Sequence, residues 1–379
     1  MKLLANAAGL VSRHAFVILC WLIWLAFETG PAIAMPAMHK GPMAAATAGI
    51  FFAMMGCVFA VVRHADRLAE MLGEPYGTLI LTLSATAIEV SLLMIVMLTG
   101  EQNPTLLRDT VFATLMVVLN GMVGIALVAG GWRHLEQEFN LRGALSFLHL
   151  IAPLSLILLV IPNYTTSSTG PTLAPAQEAF LGILCVSVYA LFLLLQTTRH
   201  RSLFDHLQAG QNDEPAPGER HIPEMEANPL AILSSTAGLI LSVVPIVLLA
   251  EHLGEFIDFG IETLHAPGSL GGLIVAALVL APEGLGALRA ALANRMQRAV
   301  NICLGSALAT IGLTVPAVLI AAGFQRHALL LGLSSVNMVL LYASLLVSII
   351  TFLGGRANVL QGKVHLMLFL AYLFFIVYP

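Results

Sequence analysis

Charged residues are scarce in this sequence of 379 residues: 10% are Asp, Glu, Lys or Arg. Soluble domains contain about 25% of these residues. The formal net charge is -4 and no basic block occurs, so a nucleic-acid partner is not expected. Hydrophobic residues make up 58% of the chain, which excludes intrinsic disorder, and the mean hydropathy is +0.91. The composition therefore predicts an integral membrane protein surrounded by lipid.

Cysteine is also rare, and none of the four cysteines belongs to a C-x-x-C motif. Cys20, Cys57, Cys185 and Cys303 each lie alone in an apolar segment, so neither a zinc site nor a disulfide framework is predicted. The H-E-x-x-H motif of zinc proteases and the G-x-S-x-G motif of serine hydrolases are absent as well. We therefore expect no enzymatic activity and no cofactor.

Eleven apolar segments are each long enough to cross a bilayer as a helix of about 20 residues. They comprise residues 15–34, 43–62, 77–98, 110–131, 143–162, 177–198, 229–250, 270–293, 299–322, 327–350 and 363–378. A signal peptide is the alternative interpretation of the first segment. Because this segment continues to about Ala34 without a small-residue cleavage site, we expect a retained helix. The predicted fold class is an all-α, polytopic membrane protein.

One long polar stretch, residues 199–228, interrupts this pattern. It contains Pro215, Pro217 and Pro223 among scattered acidic residues, which is typical of a linker. The predicted organisation is an extra N-terminal helix in residues 1–42, a first half in 43–198, this cytoplasmic linker and a second half in 229–379.

Lysine and arginine are distributed unevenly between the two sides that eleven helices would define. With the N-terminus in the cytoplasm, 14 of these 17 residues lie inside and only Lys40, Arg108 and Arg326 lie outside. Cytoplasmic loops of membrane proteins carry such an excess of positive charge. We therefore predict a cytoplasmic N-terminus and a C-terminus on the outer side.

The two halves contain similar sequence blocks. Residues 77–89 and 271–283 share five identities without a gap, namely Gly77/Gly271, Leu79/Leu273, Ile80/Ile274, Ala87/Ala281 and Glu89/Glu283. A second pair precedes them, in which Asp66 and Glu70 correspond to Glu251 and Glu255. The third helix would run outward and the eighth inward, so the copies would have inverted topology. Many secondary transporters place their substrate site at the midplane between such repeats.

Two acidic residues, Glu89 and Glu283, lie near the middle of their apolar segments, whereas the other 19 lie at helix ends, in loops or in the linker. A carboxylate at the bilayer centre costs about 2.5–3.5 kcal/mol on insertion scales, so it should face protein or water. A protonated glutamate that only joins two helices by a hydrogen bond is one interpretation. Two repeat-related glutamates favour the other interpretation, a shared site for a cation and protons.

Three neighbours extend this candidate site. Pro282 precedes Glu283, and its ring removes one helical hydrogen bond, so we expect a helix break that exposes carbonyl oxygens to a cation. Ser84 and Thr86 precede Glu89 and offer hydroxyl oxygens. Serine and threonine in membrane helices also commonly bond to their own backbone.

Sequence stretches around both glutamates carry a resemblance to a known family. They are Gly73-Glu74-Pro75-Tyr76-Gly77 with Glu89-Val90-Ser91-Leu92, and Ala281-Pro282-Glu283-Gly284-Leu285-Gly286-Ala287-Leu288-Arg289 with Leu304-Gly305-Ser306-Ala307. They resemble the cation/proton branch of the cation/calcium exchanger superfamily over roughly residues 60–379. The resemblance implies ten core helices in two inverted five-helix halves, preceded here by one extra helix. It also implies a bacterial cytoplasmic (inner) membrane, with membrane lipids, inorganic cations and protons as partners.

The same resemblance assigns roles to individual residues. It implies that Glu89 and Glu283 are the metal and proton ligands and that Ser306 is the serine of the second Gly-Ser pair. The acidic residue that it implies at the end of the preceding helix falls on Asp66 and Glu251. Together with Glu70 and Glu255 they are candidates for an access path, and the alternative is that they are helix-end charges at the lipid headgroups. Asn120, Asn301 and Thr310 are candidates for additional ligands.

The sequence departs from the family pattern at several of these positions. Thr86 and Leu280 stand where the family has asparagine, and Leu115-Met116 replaces the first Gly-Ser pair. Fewer oxygen ligands make sodium or potassium plausible substrates beside calcium. We expect a secondary transporter that exchanges such a cation for protons by alternating access. A sodium/calcium-type exchanger without proton coupling and a cation channel are the alternatives, and a homo-oligomer stays open.

Overall fold

The computed structural model of the chain describes residues 2–29, 40–72, 76–99, 104–198, 203, 229–264, 266–325 and 329–378. The described α-helices are α1 (Lys2–Thr29), α2 (Lys40–Leu72), α3 (Tyr76–Thr99), α4 (Leu106–Met116), α5 (Val123–His134), α6 (Leu141–Leu159), α7 (Pro175–Thr197), α8 (Pro229–Leu264), α9 (Ser269–Leu292), α10 (Met296–Ala309), α11 (Val315–Gln325), α12 (Ser335–Leu353) and α13 (Val359–Val377). The first π-helix (Val117–Met122) joins α4 to α5, and the second π-helix (Thr310–Thr314) joins α10 to α11. A short 3-10 helix (Ile161–Asn163) follows α6, and strands β1 (Glu136–Glu138) and β2 (Arg356–Asn358) complete the described elements.

Polar residues at the helix starts explain several of these boundaries. Asn140 accepts hydrogen bonds from the backbone N–H groups of residues 142 and 143, and Asn358 caps α13 in the same way. The Ser334 side chain accepts from the Asn337 N–H at the start of α12. Such caps satisfy donors that a helix N-terminus would otherwise leave without a partner.

Each of the eleven predicted apolar segments overlaps described helix, so the expectation of a mostly helical membrane protein is confirmed. By length and composition, nine helical stretches of the described residues could cross a membrane, and two shorter apolar stretches, His14–Thr29 and Leu83–Ile95, lie within α1 and α3. Many large apolar side chains on these helices are exposed, for example Phe180 at 64% and Leu233 at 66%. Lipid contact is the environment in which such side chains are stable.

The tenth predicted segment begins too early. Residues 329–334 are not helical, because the N–H groups of Leu330, Leu331 and Leu333 bond instead to carbonyls of Pro104, Pro171 and Leu159. The helix therefore starts at Ser335 rather than near residue 327. Hydropathy alone does not register this competition between helical and tertiary hydrogen bonds.

The helices form two compact units, each described here by itself. The first unit comprises residues 1–102 and 223–271 and contains α1, α2, α3 and α8. Within it, α2 packs against α1, α3 and α8. The ring of His64 lies against Gly238, where any larger side chain would clash, and Phe27 stacks on His252 with ring centroids 4.3 Å apart. These contacts attach the extra N-terminal helix and α8 to the same core.

The second unit comprises residues 103–222 and 272–379 and contains α4–α7, most of α9, and α10–α13. Glycines allow α5 and α13 to approach closely: a Cβ on Gly362 would lie 2.7 Å from the Val128 nitrogen, and one on Gly131 would lie 2.8 Å from the Val359 nitrogen. Small residues at helix contacts are typical of membrane bundles. Each unit thus takes helices from both predicted halves, whose boundaries stay a prediction. The predicted linker, apart from Leu203, lies outside the described residues.

A two-stranded antiparallel ribbon, not predicted from the sequence, lies in the second unit. Strand β1 pairs with β2 in the register Glu136 to Asn358, Gln137 to Ala357 and Glu138 to Arg356. The buried Gln137 side chain donates to the carbonyl of Ala291 at 2.8 Å and to Asn294 Oδ1 at 2.9 Å. The ribbon therefore satisfies polar groups where α9 ends.

Candidate functional site

Glu283 lies on α9, nine residues before the helix ends at Leu292, and its side chain is half-buried in the second unit. The Ser306 hydroxyl on α10 donates a hydrogen bond to Glu283 Oε2. This hydrogen bond joins two of the ligands that the family resemblance implies. A hydroxyl that donates to a carboxylate stabilises the charged form of that carboxylate.

Two buried side chains complete the local surroundings of this carboxylate. Tyr189 on α7 and Cys303 on α10 lie close enough to interact with the charge of Glu283. The Tyr189 ring also packs directly on Gly312, where a Cβ would lie 2.5 Å from the ring carbon Cγ. The second π-helix can therefore approach α7 only because residue 312 has no side chain.

The prediction that Pro282 breaks its helix is wrong. Helix α9 continues from Ser269 to Leu292 with Pro282 inside it. The proline lacks the N–H that would donate to the carbonyl of Leu278, which lies one turn earlier. The surrounding helical hydrogen bonds and packing keep the remaining turns in place.

The first π-helix brings Asn120 into this part of the second unit. A Cβ on Gly284, next to Glu283, would lie 3.5 Å from Met122 Cγ, so α9 contacts this π-helix beside the carboxylate. Asn120 is fully buried, and its Nδ2 donates to Ser344 Oγ on α12 at 2.7 Å. Its Oδ1 has no hydrogen-bond partner among the described residues. A buried carbonyl oxygen of this kind is a suitable ligand for a hard cation.

The second π-helix begins at Thr310, which is buried, and ends at the buried Thr314. Because a π-helix has one more residue per turn, its carbonyls and side chains are displaced from their regular helical positions. π-Bulges of this kind occur frequently at functional sites. Neither π-helix was predicted from the sequence. Each contains a glycine, Gly121 in the first and Gly312 in the second, which is a sequence signal of a local irregularity.

Asn301 belongs to a polar network on α10. Its Oδ1 accepts from Gln297 Nε2 at 2.8 Å, and Gln297 Oε1 accepts from the Asn140 backbone N–H at 2.6 Å. Since Asn140 caps α6, this network has a structural role where α6 and α10 begin. The prediction that Asn301 is a ligand receives no further support from these contacts.

Glu89 lies on α3 in the first unit, where it is 7% exposed and is the one charged residue of its helix. Thr86, almost one turn earlier, is 9% exposed, and Ser84 is half-buried. Helix α3 packs against α2 and α8 in this unit. The buried carboxylate therefore has one buried hydroxyl neighbour on its own helix.

The predicted access-path residues differ from the candidate ligands in exposure. Asp66 on α2 and Glu251 on α8 are exposed, and Glu255 is 44% exposed with its carboxylate 3.7 Å from His252 Nδ1. The side chain of Glu70 lies outside the described residues. Helix α8 continues to Leu264, so Glu251 and Glu255 lie within it and not at its end as predicted. Exposed carboxylates of this kind suit an access path better than the binding of a dehydrated ion.

Each candidate ligand offers a side-chain oxygen atom. Among the described residues, no group of three His, Cys, Asp or Glu side chains could hold a metal ion. Carboxylates supplemented by hydroxyl and amide oxygens match the preference of calcium and of alkali cations rather than of zinc or copper.

Comparisons with known proteins identify the family to which this chain is similar. The family described as sodium/calcium exchanger protein matches residues 43–198 and 234–378 of this chain. An ionic transporter of Sinorhizobium fredii, y4hA, is 40% identical over 321 residues, which cover 84% of this chain and 85% of that protein. The sodium-potassium/proton antiporter ChaA of Escherichia coli is 39% identical over 322 residues, with the same two coverages of 84% and 85%.

A solved structure shares the fold. The structure of native YfkE superimposes with a TM-score of 0.73 at 17% sequence identity, over 97% of this chain and 100% of that chain. Similarity at this identity concerns the arrangement of the helices and not the substrate.

Proposed function

The chain belongs to the sodium/calcium exchanger protein family, and we propose that it is a secondary transporter that exchanges a cation for protons across the bacterial inner membrane. The observation that carries this function is a half-buried carboxylate, Glu283, that accepts a hydrogen bond from a hydroxyl within apolar helices. Ser306 donates to this carboxylate, and the π-helix that carries Asn120 contacts the adjacent Gly284. The similarity to ChaA, a sodium-potassium/proton antiporter, supports the same activity.

The mechanism follows from competition for the same carboxylate oxygens. When Glu89 and Glu283 are ionised, they attract a dehydrated cation, because apolar surroundings strengthen the electrostatic attraction. When they are protonated, this attraction is lost and the cation is released. If the protein opens alternately to either side of the membrane, each cation movement is coupled to proton movement in the opposite direction.

An inverted repeat provides the structural basis for alternating access. The first π-helix begins 28 residues after Glu89 and the second begins 27 residues after Glu283. These nearly equal spacings support two repeats. Each repeat consists of a helix that carries a glutamate, followed by a helical segment that a π-helix interrupts. With eleven spans, the N-terminus lies in the cytoplasm and the C-terminus outside.

The transported cation is calcium, sodium or potassium. ChaA is named a sodium-potassium/proton antiporter, whereas YfkE is named a Ca²⁺/H⁺ antiporter. In the first unit the hydroxyl of Thr86 would supplement Glu89, and in the second unit neutral oxygens of Ser306, Thr310 and Asn120 would supplement Glu283. A ligand set with few carboxylates suits monovalent cations as well as calcium. Both classes of cation are therefore included in the test.

Proton flux in inside-out membrane vesicles tests this function. The vesicles are energised to acidify the lumen, and calcium, sodium or potassium is added separately while a pH-sensitive dye reports the lumen. The expected result is alkalinisation on addition of at least one cation, and loss of this response in Glu89→Gln and in Glu283→Gln. These substitutions keep the side-chain volume and remove the charge.

Glu178→Gln is the matched control, because Glu178 is a half-buried carboxylate on the apolar helix α7 that is not a candidate ligand. It should retain the response. Cation-dependent proton flux in both Glu89→Gln and Glu283→Gln would contradict the mechanism. Sodium-driven calcium uptake without proton movement would indicate sodium/calcium exchange, and flux down a cation gradient alone would indicate a channel.

A further inference from the structure

A hydroxyl group on α12 determines the orientation of the Asn120 side chain. Ser344 and Asn120 are both 0% exposed, and Asn120 Nδ2 lies 2.7 Å from Ser344 Oγ. Helix α12 carries none of the candidate ligands predicted from the sequence. Through this contact Ser344, which is not itself a candidate ligand, is hydrogen-bonded to the candidate ligand Asn120.

The hydroxyl of Ser344 acts towards Asn120 as an acceptor. Its own proton has two other acceptors, the backbone carbonyl of Leu340 at 2.7 Å and the weaker Met116 sulfur at 3.5 Å. The remaining lone pairs of the oxygen need a donor, which the Asn120 NH2 group provides and its carbonyl oxygen cannot. The hydrogen-bonding requirement of Ser344 thus selects one of the two orientations of the amide.

Met116 favours the same orientation. Its sulfur lies 3.6 Å from Asn120 Nδ2 and 3.5 Å from Ser344 Oγ. A thioether is a weak acceptor, so it attracts an N–H group and would repel a carbonyl oxygen at this distance. This methionine stands where the family has the serine of its first Gly-Ser pair.

The consequence concerns the opposite end of the amide. Because the NH2 group faces Ser344 and Met116, Asn120 Oδ1 faces away from them, buried and without a hydrogen-bond partner among the described residues. A buried unpartnered carbonyl costs about 1–3 kcal/mol unless something else occupies it. A transported cation is an occupant with the required chemistry.

We propose that Ser344 is a positioning residue that holds the Asn120 amide with its carbonyl oxygen available to the transported cation. This role rests on the proposed cation/proton exchange. Without the Ser344 oxygen, the amide can rotate and present its NH2 group, which repels a cation. Ser344 acts through Asn120 and does not itself contact the cation.

The test measures the cation concentration dependence of proton flux in vesicles for Ser344→Ala and Ser348→Ala. Ser348 is the matched control: it lies one turn further along α12 and is also 0% exposed, but its hydroxyl has no hydrogen-bond partner among the described residues. For Ser344→Ala we expect an increase in the KM for the cation of about fivefold, the size of one net hydrogen bond, with an unchanged maximal rate. For Ser348→Ala we expect the wild-type KM.

Combination with Asn120→Ala separates positioning from a structural role. If Ser344 acts through Asn120, Ser344→Ala causes no further increase in KM when Asn120 is already replaced by alanine. If Ser344→Ala raised the KM by the same factor in the wild-type protein and in the Asn120→Ala variant, the positioning role would be overturned. If Ser344→Ala fails to accumulate in the membrane, Ser344→Cys, whose thiol is a weaker acceptor, is judged by the same KM criterion.

The outcomes distinguish this inference from the function on which it rests. Wild-type flux that Glu283→Gln abolishes, together with a wild-type KM in Ser344→Ala, would overturn only the role of Ser344. Absence of cation-dependent flux in the wild-type protein would overturn both.

Discussion

The hydrogen bond from Ser306 to Glu283 permits a quantitative prediction for Ser306→Ala. The substitution removes the hydroxyl that donates to Glu283 Oε2 and creates no steric conflict. A hydrogen bond to a charged group contributes about 1.5–3 kcal/mol. Since a tenfold change in an equilibrium corresponds to about 1.4 kcal/mol, we expect the KM for the cation to rise about 10- to 100-fold.

The direction follows from the state of the carboxylate that binds the cation. The Ser306 hydroxyl stabilises the ionised form of Glu283, which attracts a cation, and its own oxygen is a further neutral ligand. Alanine removes both contributions, so more cation is needed to displace the proton. The maximal rate at saturating cation should change much less than the KM.

The assay is cation titration of proton flux in energised inside-out vesicles at one fixed pH. Ser155→Ala is the control, because Ser155 is a fully buried serine on α6 whose hydroxyl donates to the carbonyl of Ala152 in its own helix, at 3.0 Å. This variant should have the wild-type KM. A KM for Ser306→Ala within twofold of the wild-type value would refute the argument that the hydrogen bond supports cation binding.

Further predictions concern the stability of the second unit, measured as thermal unfolding in detergent. Gly312→Ala would place a Cβ 2.5 Å from the Tyr189 ring carbon Cγ, and we expect a loss of about 1–3 kcal/mol; an unchanged unfolding temperature would contradict this packing. Gln137→Ala removes two buried hydrogen bonds, to the carbonyl of Ala291 and to Asn294 Oδ1, and we expect a loss of about 1–3 kcal/mol, which wild-type stability would contradict. Glu138→Gln breaks an ion pair whose Glu138 side chain is 56% exposed, and we expect a change of at most about 1 kcal/mol; a larger loss would show that the pair is more important than its exposure indicates.

The positions of the helices could be predicted from the sequence because the bilayer imposes a simple requirement. A spanning helix needs about 20 apolar residues, and each of the eleven predicted segments falls on a helix. Boundaries set by tertiary contacts could not be predicted in this way. The start of α12 at Ser335 depends on hydrogen bonds from residues 330–333 to distant carbonyls, which hydropathy does not contain.

The candidate site stays a prediction. Glu89 and Glu283 were identified because a carboxylate in an apolar helix is costly, and Ser306, which the family resemblance implies as a ligand, donates to Glu283. The Asn301 amide accepts a hydrogen bond from Gln297, a contact that the sequence did not indicate. Residue type alone does not show whether a buried amide already has a partner.

The sequence by itself determined the class of protein, the helical segments and the two carboxylates, because each follows from the cost of placing polar groups in hydrocarbon. Only the tertiary structure decided how the remaining oxygens are presented. The π-helices, the continuous α9 through Pro282 and the bond between Asn120 and Ser344 depend on contacts between residues that are distant in the chain. A side-chain amide has two chemically different ends, and which end is available to an ion is decided by its neighbour in space.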